Sequence, residues 1–118
     1  MTELWKDFHF EASHVLPKMP DGHQCRRVHG HSYQLRVIVA GEPNADGIIC
    51  MLEKIEDAMA VQLKLVDHHH LNDVPGLENP TSEIIVAWFA TRLMYWLPEL
   101  ERLELKEAAS CGANWRRA

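Results

Sequence analysis

One short segment, Cys25-Arg26-Arg27-Val28-His29-Gly30-His31, limits the folds open to this chain more than any other stretch of the sequence. Successive side chains of a β-strand point to opposite faces of a sheet. If His29 and His31 lie on a strand, both imidazoles therefore point to the same face. The glycine between them allows another group to approach the backbone closely. The segment predicts a strand that carries half of a metal site, with a thiol close by.

The composition indicates a soluble globular protein. The chain has 118 residues, of which 47% are hydrophobic and 25% charged, which predicts one domain over residues 1–118. A net charge of -5 argues against a nucleic-acid partner. No apolar run is long enough to span a membrane, and the N-terminus lacks a signal-peptide pattern, so we expect a cytoplasmic protein without a membrane partner. Cys25, Cys50 and Cys111 contain no C-x-x-C pair and argue against a disulfide framework.

The order of the secondary structure follows from the spacing of the apolar residues. Alternation predicts strands, and apolar residues three or four positions apart predict helices. One helix begins near Thr81 or Ser82 and ends before Pro98. The other helix covers residues 52–66, and the strands cover residues 8–14, 29–39, 103–107 and 113–116.

His14 lies on the apolar face of the first predicted strand, where a neutral imidazole needs a partner. Taken alone, a core histidine bonded to a backbone group explains this position. If His29 and His31 lie opposite, His14 becomes a third metal ligand instead. Three imidazoles with one open position are the pattern of a catalytic zinc site, whereas structural sites fill all four positions. A closed site that includes Cys25 is the alternative.

Three other positions carry chemistry. Cys25 lies near the end of a long loop, residues 16–28, beside arginines that favour a thiolate able to act as a base or nucleophile. Asp67 and His68 follow the first helix and form either a polar helix end or an Asp–His dyad that moves protons. Glu107 shares the apolar face of the third strand. It therefore needs hydrogen-bond donors, which a ligand with amino and ring N–H groups would supply.

Taken together, these motifs resemble the 6-pyruvoyltetrahydropterin synthase family over nearly the whole chain. The resemblance implies an α+β tunnelling fold (T-fold), an antiparallel four-stranded sheet with two helices on one face. It also implies subunits that join their sheets into a barrel of trimers, often paired into a hexamer, with sites at the subunit interfaces. The matching segments, in family order, are residues 10–14, 25–31, 65–72, 78–83 and 106–107.

The resemblance also implies a chemistry, and within the family the motifs are most similar to the bacterial branch of queuosine (7-deazapurine) biosynthesis. That branch releases triphosphate and acetaldehyde from 7,8-dihydroneopterin triphosphate to leave a 6-carboxy pterin. A 6-pyruvoyl product and a non-catalytic zinc- or pterin-binding protein are the alternatives. Carried over by position, the zinc ion (Zn²⁺) has the ligands His14, His29 and His31, and the catalytic residues are Cys25 as base, Asp67 and His68 as proton relay, and Glu107 as the substrate-binding anchor of the pterin.

Some positions depart from the family pattern, and the residues that bind the triphosphate are not assigned by the resemblance. Cys50 and Met51 stand where the bacterial branch usually has an acidic-aromatic pair, and Ala108 stands where a threonine often follows the lysine-glutamate motif. These changes could alter helix capping or a secondary contact to the pterin, and they leave the ligands and the base intact. The candidates for holding the triphosphate, by position only, are Lys18, Arg26 and Arg27, for which a solvated charge cluster is the alternative explanation.

Overall fold

The computed structural model describes all 118 residues as two helices packed on one face of a five-stranded sheet. The strand order is β3-β1-β2-β4-β5, and all neighbours are antiparallel except β3, which runs parallel to β1. The elements in chain order are β1 (Thr2–His14), β2 (His29–Gly41), α1 (Leu52–Val66), β3 (His69–His70), α2 (Ser82–Trp96), β4 (Leu100–Ala108) and β5 (Cys111–Arg116).

The sheet has five strands, so the predicted count of four was wrong. The additional strand is the two-residue β3, which pairs with Ala12 and Ser13 of β1. Two residues are too few for side-chain alternation to reveal a strand, and β3 forms only because α1 delivers the chain to the free edge of β1. All four predicted strands also proved too short, since β1 begins at Thr2, β2 ends at Gly41, β4 begins at Leu100 and β5 begins at Cys111.

Both helices are where the sequence predicted them. The first occupies Leu52–Val66, and Met51 precedes it without a side-chain cap, at one of the positions that depart from the family pattern. The second follows Thr81, whose Oγ1 accepts the Ile84 N–H at 3.2 Å. An N-cap hydroxyl of this kind satisfies a backbone donor that the helix itself leaves free. Neither helix is long and apolar enough to cross a membrane.

The hydrophobic core lies between the helices and one face of the sheet. Its centre is aromatic: the rings of Phe10 and Tyr33 stack with their centroids 4.8 Å apart, and Phe89 of α2 lies 5.6 Å from Phe10. All three side chains are fully buried. The core side of β1 and β2 continues past these rings to His14, which is itself fully buried. The core therefore ends in a histidine at one end of the sheet.

Candidate active site

Three histidines meet at that end of the sheet. His14 is the direct cross-strand partner of His29, and His31 lies two residue pairs further along, opposite Ala12 and on the same face of the sheet. Facing side chains on one side of an antiparallel pair are close enough to interact. The ring centroids are 4.5 Å apart for His14 and His29, and 5.1 Å for each of the other two pairs. One nitrogen from each ring can be chosen so that all three lie within 4.8 Å of one another.

Backbone carbonyls determine which ring nitrogens face the centre of the cluster. The Nδ1 of His14 lies 2.9 Å from the Pro80 carbonyl oxygen, and the Nδ1 of His29 lies 2.7 Å from that of Arg27. A carbonyl oxygen can only accept, so both Nδ1 atoms carry the proton and both Nε2 atoms present lone pairs in the neutral ring. A hydrogen bond on the outer nitrogen is also how proteins usually orient a metal-binding histidine.

The inner nitrogens have no satisfactory partners within the protein. The two Nε2 atoms of His14 and His29 lie 3.0 Å apart with no proton left to share between neutral rings. The Nε2 of His31 is buried and has no hydrogen bond of acceptable geometry, although Glu107 Oε1 lies 2.9 Å away. Burial lowers the pKa of His14, which disfavours a bridging proton. Converging lone pairs beside a carboxylate fit a divalent cation, and three imidazoles suit zinc among other metals.

Cys25 lies beside this cluster but is not part of it. It occupies a single turn of 3₁₀-helix, Gln24–Arg26, and its carbonyl oxygen accepts the N–H of Leu16 at 2.8 Å. Leu16 comes two residues after His14, so this bond returns the loop to the end of β1. The Cys25 side chain is partly exposed, and the group of potential metal ligands contains only the three histidines. The thiol therefore makes no hydrogen bond and does not belong to the ligand group.

The loop that carries Cys25 is held by Arg26. The Nη1 of this guanidinium donates to the carbonyl oxygens of Pro17 and Met19, at 2.9 and 2.8 Å. Because these bonds engage the side chain, Arg26 has less capacity to bind phosphate than a free arginine would. Lys18 and Arg27 form no hydrogen bond or ion pair through their side chains.

Asp67 and His68 form a second pair, joined by a bond of 2.9 Å between Oδ1 and Nδ1. The Glu11 N–H donates to the same oxygen at 3.0 Å, and this bond, with a smaller contribution from His68, lowers the pKa of Asp67. An ionised carboxylate can only accept, so His68 donates through Nδ1 and leaves Nε2 free. His68 has a positive φ of 61°, and its N–H donates to Glu11 O at 2.6 Å. This left-handed backbone turns the chain from α1 into β3.

Within one chain, the proposed site residues other than Cys25 form two groups. His14, His29, His31 and Glu107 are joined by direct contacts, whereas Asp67 and His68 contact only each other and the backbone of β1. Both groups border an open cleft of about 470 Å³, to which His31 and His68 contribute. A carbon at the Cβ position of Gly30, which also lines this cleft, would lie 3.1 Å from Ala12 O.

Residues that sequence reasoning missed hold these groups in place. Ser82 donates its hydroxyl to Glu107 Oε2 at 2.5 Å. Asn72 accepts the Val15 N–H and donates to the carbonyl oxygens of Val15 and Glu78. One signal pointed to Ser82: Thr81 and Ser82 are adjacent hydroxyl residues at the start of the helix, and only one of them is needed as its cap. For Asn72 there was no signal, because its partners are distant in sequence.

The fold and the site define a two-layer α+β protein with a three-histidine site suited to a metal ion. Residues 3–118 match the family model described as 6-pyruvoyl tetrahydropterin synthase, and the chain belongs to this family. The fold is the T-fold of these proteins. A solved structure of 6-pyruvoyl tetrahydropterin synthase from Caenorhabditis elegans matches with a TM-score of 0.91 at 23% identity, covering 99% of this chain and 96% of that one.

Curated relatives carry more than one name. The chain is 35% identical to a 6-carboxy-5,6,7,8-tetrahydropterin synthase from Synechocystis sp., over 98% of this chain and 93% of the relative. It is 31% identical to a protein of the same name from Bacillus subtilis, over 84% of this chain and 70% of the relative. It is also 32% identical to a dihydroneopterin monophosphate aldolase from Pyrococcus furiosus, over 89% of each chain.

Proposed function

We propose that this protein is a zinc-dependent 6-carboxy-5,6,7,8-tetrahydropterin synthase. It would convert 7,8-dihydroneopterin triphosphate and one water molecule into the 6-carboxy product with release of acetaldehyde and triphosphate, as a cytoplasmic step of queuosine biosynthesis. The observation that carries the metal requirement is the close approach of two inward nitrogens: the Nε2 atoms of His14 and His29 lie 3.0 Å apart. Two curated relatives named for this reaction support the choice of product.

In this proposal each group has a separate task. His14, His29 and His31 hold a zinc ion, which supplies Lewis-acid polarisation of the hydroxylated substrate side chain. Glu107 accepts hydrogen bonds from the pterin amino and ring N–H groups, for which a carboxylate offers two acceptor oxygens.

The remaining groups transfer protons. Cys25, as a thiolate, removes a proton from the substrate side chain. The Asp67–His68 pair returns or accepts protons on the opposite side of the substrate. The ionised Asp67 holds the His68 ring with Nε2 free for this exchange.

We also propose that the chain acts as one domain, residues 1–118, within a trimer-based homo-oligomer, often a hexamer, with its sites at the subunit interfaces. Two observations support this arrangement. The relay pair does not contact the histidine cluster of its own chain. The outer edge of β5 has no neighbouring strand. An isolated subunit is then inactive, and activity should follow the oligomer when size fractions are assayed separately.

The test of function is product identification. Zinc-loaded protein is incubated with 7,8-dihydroneopterin triphosphate, the pterin product is analysed by mass spectrometry, and acetaldehyde is measured with a coupled dehydrogenase. A 6-carboxy pterin with equimolar acetaldehyde is the expected result. A 6-pyruvoyl product without acetaldehyde would identify the other synthase branch. Pterin binding without release of triphosphate would identify a non-catalytic binding protein.

A second candidate is aldol cleavage of dihydroneopterin monophosphate, which the Pyrococcus furiosus relative favours. Cleavage between the first two side-chain carbons would leave a 6-hydroxymethyl pterin and a phosphorylated two-carbon aldehyde. Running the monophosphate beside the triphosphate in the same assay separates the two reactions, because the mass of the pterin product differs. Turnover of the monophosphate alone would replace the synthase proposal with the aldolase.

A further inference from the structure

The N-terminal end of α2 contacts two members of the histidine group, His14 and Glu107. The Pro80 carbonyl accepts the Nδ1–H of His14, and two residues later the Ser82 hydroxyl donates to Glu107 Oε2. Glu107 belongs to β4 and His14 to β1, so neither strand alone determines how the carboxylate lies relative to the histidine cluster. This short segment connects them.

The Ser82 hydroxyl is not needed by the helix. The N-cap of α2 is Thr81, whose Oγ1 accepts the Ile84 N–H. Ser82 is buried, with 7% of its surface exposed, and its side-chain oxygen bonds only to Glu107. The O–H···O distance of 2.5 Å is typical of a charge-assisted bond to a carboxylate. The hydroxyl therefore serves the carboxylate and not the secondary structure.

This bond constrains how Glu107 can meet a ligand. A carboxylate rotates about its terminal torsion with a broad preference, so without a partner Glu107 would sample many orientations. Donation from Ser82 fixes Oε2, and Oε1 then lies 2.9 Å from His31 Nε2. In this orientation the plane of the carboxylate is already set when a ligand arrives, which lowers the ordering cost of binding.

We propose that Ser82 is a positioning residue that orients Glu107 for a ring bearing adjacent amino and N–H donors, as in a 2-amino-4-oxopteridine. The proposal rests on the assignment of Glu107 as the pterin anchor. It predicts that Ser82 determines the preference for a 2-amino over a 2-oxo ring. A carboxylate held in one orientation cannot turn to another donor when the 2-amino group is absent, so binding of the 2-oxo ring is weakened most when Glu107 is fixed. Leaving a polar group unpaired on binding is the usual source of such discrimination.

The experiment measures binding without turnover. Zinc-loaded protein is titrated with neopterin and with its 2-oxo analogue, and binding is measured by ligand fluorescence. In Ser82→Ala we expect neopterin affinity to fall roughly tenfold, the scale of a lost bond to a charged group, with a smaller preference over the 2-oxo ring. Zinc content should stay at the wild-type value. Ser82→Thr should restore both affinity and preference.

Controls separate positioning from a structural role. Thr91→Ala removes a hydroxyl on the same helix that bonds only to Ala87 O, and it should leave both affinities unchanged. Ser82→Cys keeps the side-chain volume with only a weak donor, and it decides the question if Ser82→Ala does not fold. The proposal is overturned if the weakened-donor variants bind neopterin with wild-type preference, if Ser82→Thr fails to restore it, or if the zinc content falls.

Failure of the Ser82 proposal can be distinguished from failure of the proposed reaction. Glu107→Gln tested in the same titration reports whether Glu107 anchors the ring at all. If Glu107→Gln binds normally, the anchor assignment and this inference both fail. If wild-type protein binds neopterin through Glu107 but releases no acetaldehyde from the triphosphate, the proposed reaction fails and the role of Ser82 stands.

Discussion

The Nε2 atoms of His14 and His29 lie 3.0 Å apart, although the other nitrogen of each ring donates to a backbone carbonyl. Two neutral rings held in this way direct lone pairs at each other, which is unfavourable unless a cation lies between them. Burial lowers the pKa of His14, so a proton shared between the two rings is disfavoured and a metal ion is the better fit. This relationship between two cross-strand residues is the basis of the metal assignment.

The first prediction concerns zinc and stability. We expect one zinc per chain, measured by elemental analysis, and a lower melting temperature after removal by a chelator, because a ligand bound only to the folded state stabilises it. His29→Ala should abolish zinc binding. The control is His23→Ala, since His23 lies in the nearby loop but outside the ligand group. Equal zinc content in wild type and His29→Ala would contradict the assignment.

The second prediction separates the base from the ligands. Cys25→Ala should lower turnover by roughly 10²–10⁴-fold, the range for loss of an acid–base group, while zinc content stays the same. Cys111→Ala is the matched control, because Cys111 is exposed on β5 and has no proposed role. Loss of zinc in Cys25→Ala would show instead that the thiolate is a fourth ligand, as in the closed alternative.

The third prediction concerns Asn72, whose amide ties Val15, next to His14, to the carbonyl of Glu78. Asn72→Ala should weaken zinc binding by about 10–100-fold, the usual effect of removing outer support from a metal ligand. Competition with a chromogenic chelator measures this affinity. Asn114→Ala, on the exposed side of β5 without a side-chain hydrogen bond, should leave it unchanged. Unchanged affinity in Asn72→Ala would mean that Pro80 alone orients His14.

The fourth prediction concerns pH and Asp67. The Glu11 N–H, helped by His68, lowers the pKa of Asp67 below its usual 3.8. The carboxylate therefore stabilises the fold at pH values above 3.8, and this contribution is lost as pH falls below 3.8 through the lowered native value. Asp67→Asn should be less stable than wild type at neutral pH, with the difference shrinking in acid. Denaturant unfolding at several pH values checks this, and a difference independent of pH would refute it.

The fifth prediction separates strain from function at His68. A residue with a Cβ is disfavoured at φ 61°, whereas glycine is not. His68→Gly relieves this strain but also removes the bond to Asp67, so we expect the melting temperature to change little while turnover falls by roughly 10²-fold or more through loss of the relay. His69→Gly is the comparison, because His69 lies next in the chain in extended backbone and outside the proposed relay. Full activity of His68→Gly would remove His68 from the mechanism.

The helices and the long strands could be predicted from the sequence because their signals are local. The spacing of Ile55, Met59 and Val66 defines α1, and alternation through Phe10 and Ala12 defines β1. The start of β1 was placed too late, because Lys6 stands on the face of the strand that carries Leu4 and Phe8, and a polar residue there interrupts the apolar alternation. The two-residue β3 could not be predicted, since its pairing depends on where α1 ends in space.

The identity of the chemical groups, and which of them share a strand face, follow from the order of the amino acids. Side chains two apart on a strand must point the same way, so the spacing of His29 and His31 is enough to pair them. Glu107 was placed on the apolar side by the same rule, and it is partly buried there.

How these groups meet depends on the packing of the whole chain. The register of β1 against β2 puts His14 opposite His29, and the start of α2 brings Pro80 to His14 and Ser82 to Glu107. Such contacts join residues far apart in the chain, and no local spacing encodes them. They arise because burying one apolar face of the sheet under two helices fixes where the ends of every element come to lie.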